Sequence, residues 1–307
     1  MSLTTTHLTS DPSAQRGVWT RRMLPGGLPL VMQRRSAAGS VAARLWIRGG
    51  SSCDPCGRRG AMQLLAGTMT RGAGPLDAEA LADLVEGCGA ALRAEASEDA
   101  LVLSLKCASD DASELVPLLL AMAAEPSLES EQVELERQLN LQHLQRQRED
   151  PFQLAHDGLR SLLYDDGPYG HDPLGVEEEL EGVGAADLQE LLQGLAGPGA
   201  LLVLCGDLDG ELEQRLGDAL RQRPWPTQAP LRANWSAPGA AASAVARQEQ
   251  DTEQLVLMLG AATVPLGHDD ALALRLLQAH LGLGMSSRLF QVMREQRGLA
   301  YDVGVHM

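Results

Sequence analysis

Apolar residues recur along this chain in two rhythms, and the switching between them predicts an α+β architecture. Residues 27–32 and 41–47 alternate or run apolar over strand length, and the second stretch ends at Gly49 and Gly50. Over 60–73, GAMQLLAGTMTRGA, the period becomes helical. At about 100° per residue, Ala61, Met62, Leu65 and Met69 form one apolar stripe, and Gln63, Ala66, Gly67 and Thr70 share a neighbouring small, weakly polar face. A second helix is expected over 76–86, with Asp77 as its N-cap and Gly87 or Gly89 as its stop. Residues 92–95 and 100–107 read as an antiparallel strand pair, followed by an apolar helix over 112–124 and a longer polar one over 130–148. On the polar helix Leu135, Leu139 and His143 are spaced i, i+4, i+8, which predicts a packed face ending in a core or interhelix histidine.

Asp150-Pro151 breaks that helix, and the pattern resumes over 152–164 before the irregular loop YDDGPYGHDPLG. A helix over 184–194, an apolar strand over 200–205, a Gly206-Asp207 turn and a helix to about 221 close one α+β unit. Residues 223–245 are rich in Pro and Ala without periodicity, as in a linker. Beyond it, a strand over 254–260, a loop and a helix over 270–281 parallel the strand at 43–49 and the helix at 60. The expected organisation is a flexible segment 1–24, a first domain 25–222, the linker 223–245 and a second domain 246–307. That second domain would stop inside a strand, which reads as a fragment of a longer chain with an incomplete sheet.

Composition narrows the function classes. The formal charge of −16, with 41 acidic against 25 basic side chains and Lys106 as the sole lysine, repels phosphate backbones and argues against nucleic-acid binding. Such a balance either attracts basic peptides or simply keeps the surface soluble. With aromatic residues at 3%, Leu, Val, Ala and Met must fill the core. The longest apolar runs fall well short of the ~20 residues that span a bilayer, so no membrane role is expected. Five cysteines, an odd count without a secretory signal, suggest free thiols and a cytoplasmic location. Cys53-x-x-Cys56 allows a redox pair or half a zinc knuckle, but its Gly, Ser, Asp and Pro neighbours favour a solvent-facing turn. Cys88, Cys107 and Cys205 read as small buried hydrophobes.

The helix at 60 has the i, i+3, i+4 spacing by which a helix offers two metal ligands and a general base. Those positions hold Gln63, Ala66 and Gly67. The string from 58 to 90 resembles the pitrilysin/insulinase family of inverted-zincin metallopeptidases, which includes the mitochondrial processing peptidase. Gly60, Leu64, Leu65, Arg71 and Gly72 match that family's pattern around its His-x-x-Glu-His motif. Here Gln63-Leu64-Leu65-Ala66-Gly67 replaces it, so the resemblance implies that both zinc histidines and the catalytic glutamate are absent. The family's third ligand, a glutamate, corresponds to Gln142 or His143, the latter 76 positions after Gly67 (143 − 67). Neither is a carboxylate.

Residues 282–305, GLGMSSRLFQVMREQRGLAYDVGV, resemble the family's second-half pattern. Leu289, Phe290 and Met293 supply an apolar face, Gly298 a helix C-cap, and 299–305 a strand, while Arg288 packs or orients the segment and Gly282 and Gly284 give a flexible turn. Arg294 and Tyr301 stand seven positions apart. From physics alone, Arg294 would cap carbonyls and Tyr301 would fill the core. In catalytic relatives such a pair binds the substrate peptide backbone, so the resemblance implies substrate contacts. It further implies a fold of two homologous α/β-sandwich halves, the second truncated. The implied function is a non-catalytic subunit of a heterodimer, or a homodimer, that binds peptide while zinc sits only on a catalytic partner. Two other readings stay open: a purely structural peptidase-derived subunit, and a stand-alone thiol or metal protein using Cys53 and Cys56.

Overall fold

The computed structural model describes residues 18–35, 39–165, 167–195, 199–226 and 244–307. Its organising element is a six-stranded sheet built from β1 (Trp19–Met23), β2 (Pro29–Arg34), β3 (Ser40–Arg48), β4 (Ala91–Ala96), β5 (Ala100–Ala108) and β6 (Ala200–Gly206), in the order β1-β2-β6-β3-β5-β4. Neighbours pair antiparallel except β2 with β6. Strand β3 shows how the sequence sets this up. Val41, Ala43, Leu45 and Ile47 are buried while Ala42, Arg44, Trp46 and Arg48 face solvent, the period of two that gives a sheet one dry face.

The helices of this unit are α1 (Ala61–Met69), α2 (Ala78–Gly87), α3 (Ala112–Ala124), α4 (Ser130–Gln147), α5 (Pro151–Tyr164), α6 (Glu177–Leu180), α7 (Ala185–Leu195) and α8 (Glu211–Gln222). Helices α1 and α3 pack on the dry face, α4 and α7 pack against α1, and α8 packs against α3. Leu45, Leu101, Leu103, Met62, Leu65 and Leu115 lie at the centre of this core, essentially without solvent exposure. Each such side chain contributes about 1.5–3 kcal/mol by leaving water. Helix α1 is buried nearly all round, because Leu64, Ala66 and Thr68 are covered as well as the expected stripe. Asp77 caps α2 as expected, its carboxylate accepting the Ala80 N–H at 2.8 Å.

The described residues divide into two compact units, one reaching to 259 and the other 260–307. The second contains α9 (Ala271–Gly282) and a π-helical turn, Phe290–Gln296.

Several expectations are corrected. Residues 19–23, placed in the flexible segment, form edge strand β1, held by its ladder to β2. The segments 254–260 and 299–305 are not strands. Leu255, Leu257 and Leu259 are exposed instead, because alternation alone makes no strand where no neighbour supplies hydrogen bonds, and none does among the described residues. On α4 the buried face is Val133, Glu136, Asn140 and Leu144, while Leu135 and His143 are exposed, so His143 is not a core histidine. The expectation of a linker at 223–245 falls mostly outside the described residues, as does most of the expected flexible segment 1–24. No described helix is long and apolar enough to cross a membrane.

Candidate functional site

Two places carry the residues singled out by sequence, one in each unit. In the first unit, α1 begins where Asp54 reaches back from the preceding loop. Its buried carboxylate accepts the N–H groups of Gly60 and Met62, both at 2.7 Å, supplying the cap that Gly60 cannot. His171 Nε2 stands 3.5 Å from the same carboxylate. Burial pushes the Asp54 carboxyl above its ordinary range, while the His171 contact and the two N–H donors pull it back. Gly60 is in the left-handed region at φ 98°, and a Cβ there would lie 2.6 Å from the Leu174 carbonyl oxygen. Glycine therefore lets the 171–175 loop close on the helix start. Arg59 ties down the same corner through its side-chain and backbone N–H bonds to Glu179, which hold the Glu179 carboxyl below its usual range.

The degenerate positions are occupied by structure. Gln63 Oε1 accepts the Ala96 N–H at 2.8 Å, joining α1 to the end of edge strand β4. Ala66 has no solvent exposure. Gly67 lies against α4, where a Cβ would stand 2.5 Å from Glu136 Oε2. Glu136 is itself buried and held by Arg71, whose Nε donates to Oε1 at 2.6 Å. The space beside Gly67 is thus filled by a carboxylate neutralised within the fold.

These residues do not fit a zinc ion. Zinc sites need three protein ligands of His, Cys or carboxylate type. Gln63 is spent on the sheet, Ala66 and Gly67 offer no donor, and Gln142 and His143 are exposed beyond Glu136. Among the described residues no group of three His, Cys, Asp or Glu side chains could hold a metal. Glu136 and Asp54 escaped the sequence reading. An acidic residue on a leucine-bearing helix looks solvated, and Asp54 lay inside a motif read for its cysteines.

Cys53 and Cys56 are free thiols, the first half-buried and the second exposed. Burial raises the Cys53 thiol above its usual pKa, the reverse of an activated nucleophile. Asp54, one of the two residues between the cysteines, makes the segment more than a solvent-facing turn, since its carboxylate anchors α1. Cys107 is buried, whereas Cys88 and Cys205 are half-buried.

In the second unit the structure brings Arg294 and Tyr301 together. The Arg294 guanidinium lies 4.8 Å from the Phe290 ring centre and 5.0 Å from that of Tyr301. The turn between them is π-helical, with the Arg297 N–H donating to the Val292 carbonyl, and it ends at Gly298 in the left-handed region at φ 59°. Tyr301 is 85% exposed, so it does not fill a core. The Arg294 side chain is 39% exposed, and its Nε approaches Glu295 at 3.9 Å, so a guanidinium held over two rings keeps part of its donor set open to solvent. Such a pair can donate hydrogen bonds to a carbonyl oxygen. Arg288 is exposed on the same segment.

The sequence matches two family models: insulinase (peptidase family M16) over residues 30–175 and peptidase M16 inactive domain over residues 195–306. An uncharacterized zinc protease of Mycobacterium leprae is 26% identical over 292 residues, which are 92% of this chain and 64% of that protein. The fold is similar to the crystal structure of a peptidase M16 inactive domain from Pseudomonas fluorescens, with a TM-score of 0.80 at 21% identity, covering 94% of this chain and 70% of that one. It is also similar to that of a protease from Helicobacter pylori, with a TM-score of 0.75 at 17% identity, covering 95% and 71%.

Proposed function

The chain belongs to the insulinase family, peptidase family M16, and from that premise we propose that it is a non-catalytic, peptide-binding subunit working beside a catalytic relative. Arg294 and Tyr301 hold the peptide backbone, while the zinc ion and the base that activates water reside on the partner. The observation that carries this reading is the Arg294–Tyr301 contact, in which the half-buried guanidinium lies 5.0 Å from the ring centre of an exposed tyrosine. A fixed guanidinium beside a phenol suits a peptide carbonyl, above all one gaining negative charge. The filled space beside Gly67 supports the same division of labour, because the described residues around α1 offer no ligand set for the metal.

The test is reconstitution with a family member that carries an intact His-x-x-Glu-His motif. Arg294→Ala should lower kcat/KM of the pair by about a hundredfold, the order seen when one oxyanion donor is lost. Tyr301→Phe should have a smaller effect, and the partner's zinc content should stay constant. Undiminished activity of the Arg294→Ala pair would overturn the proposal in favour of a purely structural subunit.

A further inference from the structure

The sheet of the first unit has a second face, and its charge is opposite to that of the chain. The register places Arg93, Ser104, Arg44, Val203, Val31 and Arg21 in one row across all six strands. Lys106 lies opposite Ala42, one row away on the same face, and Arg48 lies two residues beyond Trp46. All five cations and Trp46 are exposed. From the strands, only Glu95 brings a carboxylate to this face, although acids outnumber bases 41 to 25 in the whole chain. None of the five cations pairs with a carboxylate among the described residues, whereas Arg58, Arg59, Arg71 and Arg148 all do.

We infer that this outward sheet face binds an extended, acidic polypeptide, the cations meeting its carboxylates and Trp46 meeting its apolar side chains. The inference rests on the peptide-binding function proposed above and names the class of peptide. Five cations without a carboxylate partner among the described residues, on a dry-backed sheet, make a local positive field within an acidic molecule, which draws in and orients anionic segments. Five strand spacings of about 4.8 Å make the row roughly 24 Å long, the span of about seven extended residues. The apolar residues between the cations, Val31, Val203 and Trp46, suit a polypeptide better than a phosphate backbone. The remaining acidity of the chain would repel nucleic acid.

Fluorescence anisotropy on the full chain tests this with three probes: a labelled peptide of alternating Glu and Val, its Lys counterpart, and single-stranded DNA of similar length. The Glu peptide should bind most tightly and weaken as salt rises. Arg44→Glu combined with Lys106→Glu should cost about tenfold or more in affinity. The milder Arg44→Gln should cost less, with the thermal melt of each variant confirming its fold. Arg215→Glu, a charge reversal on the exposed side of α8, should leave binding unchanged. Equal or tighter binding of the Lys peptide or the DNA, or indifference to the Arg44 and Lys106 reversals, would overturn the inference. If the Lys peptide binds and depends on Arg294, only this inference falls. If neither peptide binds, this inference falls, and the Arg294→Ala reconstitution alone decides the proposed function.

Discussion

Helix α1 and the segment from Phe290 to Tyr301 hold the positions to which the family resemblance assigns chemistry, and the two regions use them in opposite ways. On α1 every such position serves the fold. Gln63 bonds to β4, Ala66 is sealed in the core, and Gly67 leaves room for Glu136 and its partner Arg71. In the second unit the Arg294 guanidinium lies over the Tyr301 ring, with Arg294 half-buried, Tyr301 exposed and no side-chain hydrogen bond engaging either among the described residues. A polar group committed to internal bonds stabilises a structure. One left exposed and positioned is available to a ligand, which is why the second region and not the first is assigned a binding role.

The largest test of this contrast is Ala66→Glu. Restoring an acidic side chain at a fully buried site without a partner should cost about 3–5 kcal/mol in urea denaturation. A loss below about 0.5 kcal/mol, the range of surface substitutions, would mean that α1 is not closed as described. Glu136→Ala comes next. It leaves the Arg71 guanidinium unpaired, but Arg71 is 35% exposed and partly rehydrates, so about 2–3 kcal/mol is expected. Adding Arg71→Leu should return part of that loss. Strict additivity of the two changes would show that the pair is not coupled.

A smaller effect concerns pH. The Glu179 carboxyl titrates below its ordinary 4.5 in the folded chain because Arg59 bonds to it. Its stabilisation is therefore fully present above the unfolded pKa and is lost as pH falls through the folded one. Glu179→Gln should flatten the fall in melting temperature below that ordinary value, and an unchanged acid limb would remove this anchor from the account. The least effect on stability is expected for Arg294→Ala. An exposed cation–π contact is worth about 0.5–1 kcal/mol, so the melt should barely move while peptide binding collapses.

Much of the first unit was legible because its apolar rhythm is strong. Strands β3 and β5 and helices α2, α3, α7 and α8 lie within a residue or two of their expected bounds. Strand β1, WTRRM, was not legible, since an edge strand exposed on both faces has no alternation to display. Helix α4 misled because Leu135 and Leu139 mark a plausible core face, yet the pairing of Glu136 with Arg71 and the burial of Asn140 turn the other face inward. Only tertiary contacts decide that. The Arg294–Tyr301 pair was legible as a spacing, whereas its stacking was not. The basic sheet face was hidden from composition, because a net charge averages over surfaces that the register separates.

Helix α1 offers no place for a catalytic metal, so the purified chain should be inert alone. Metal analysis after dialysis against dilute zinc, with a peptidase assay on the same sample, tests it most directly. The account predicts zinc far below one ion per chain and no cleavage. Stoichiometric zinc that is lost in Gln63→Ala, together with chelator-sensitive cleavage, would contradict it.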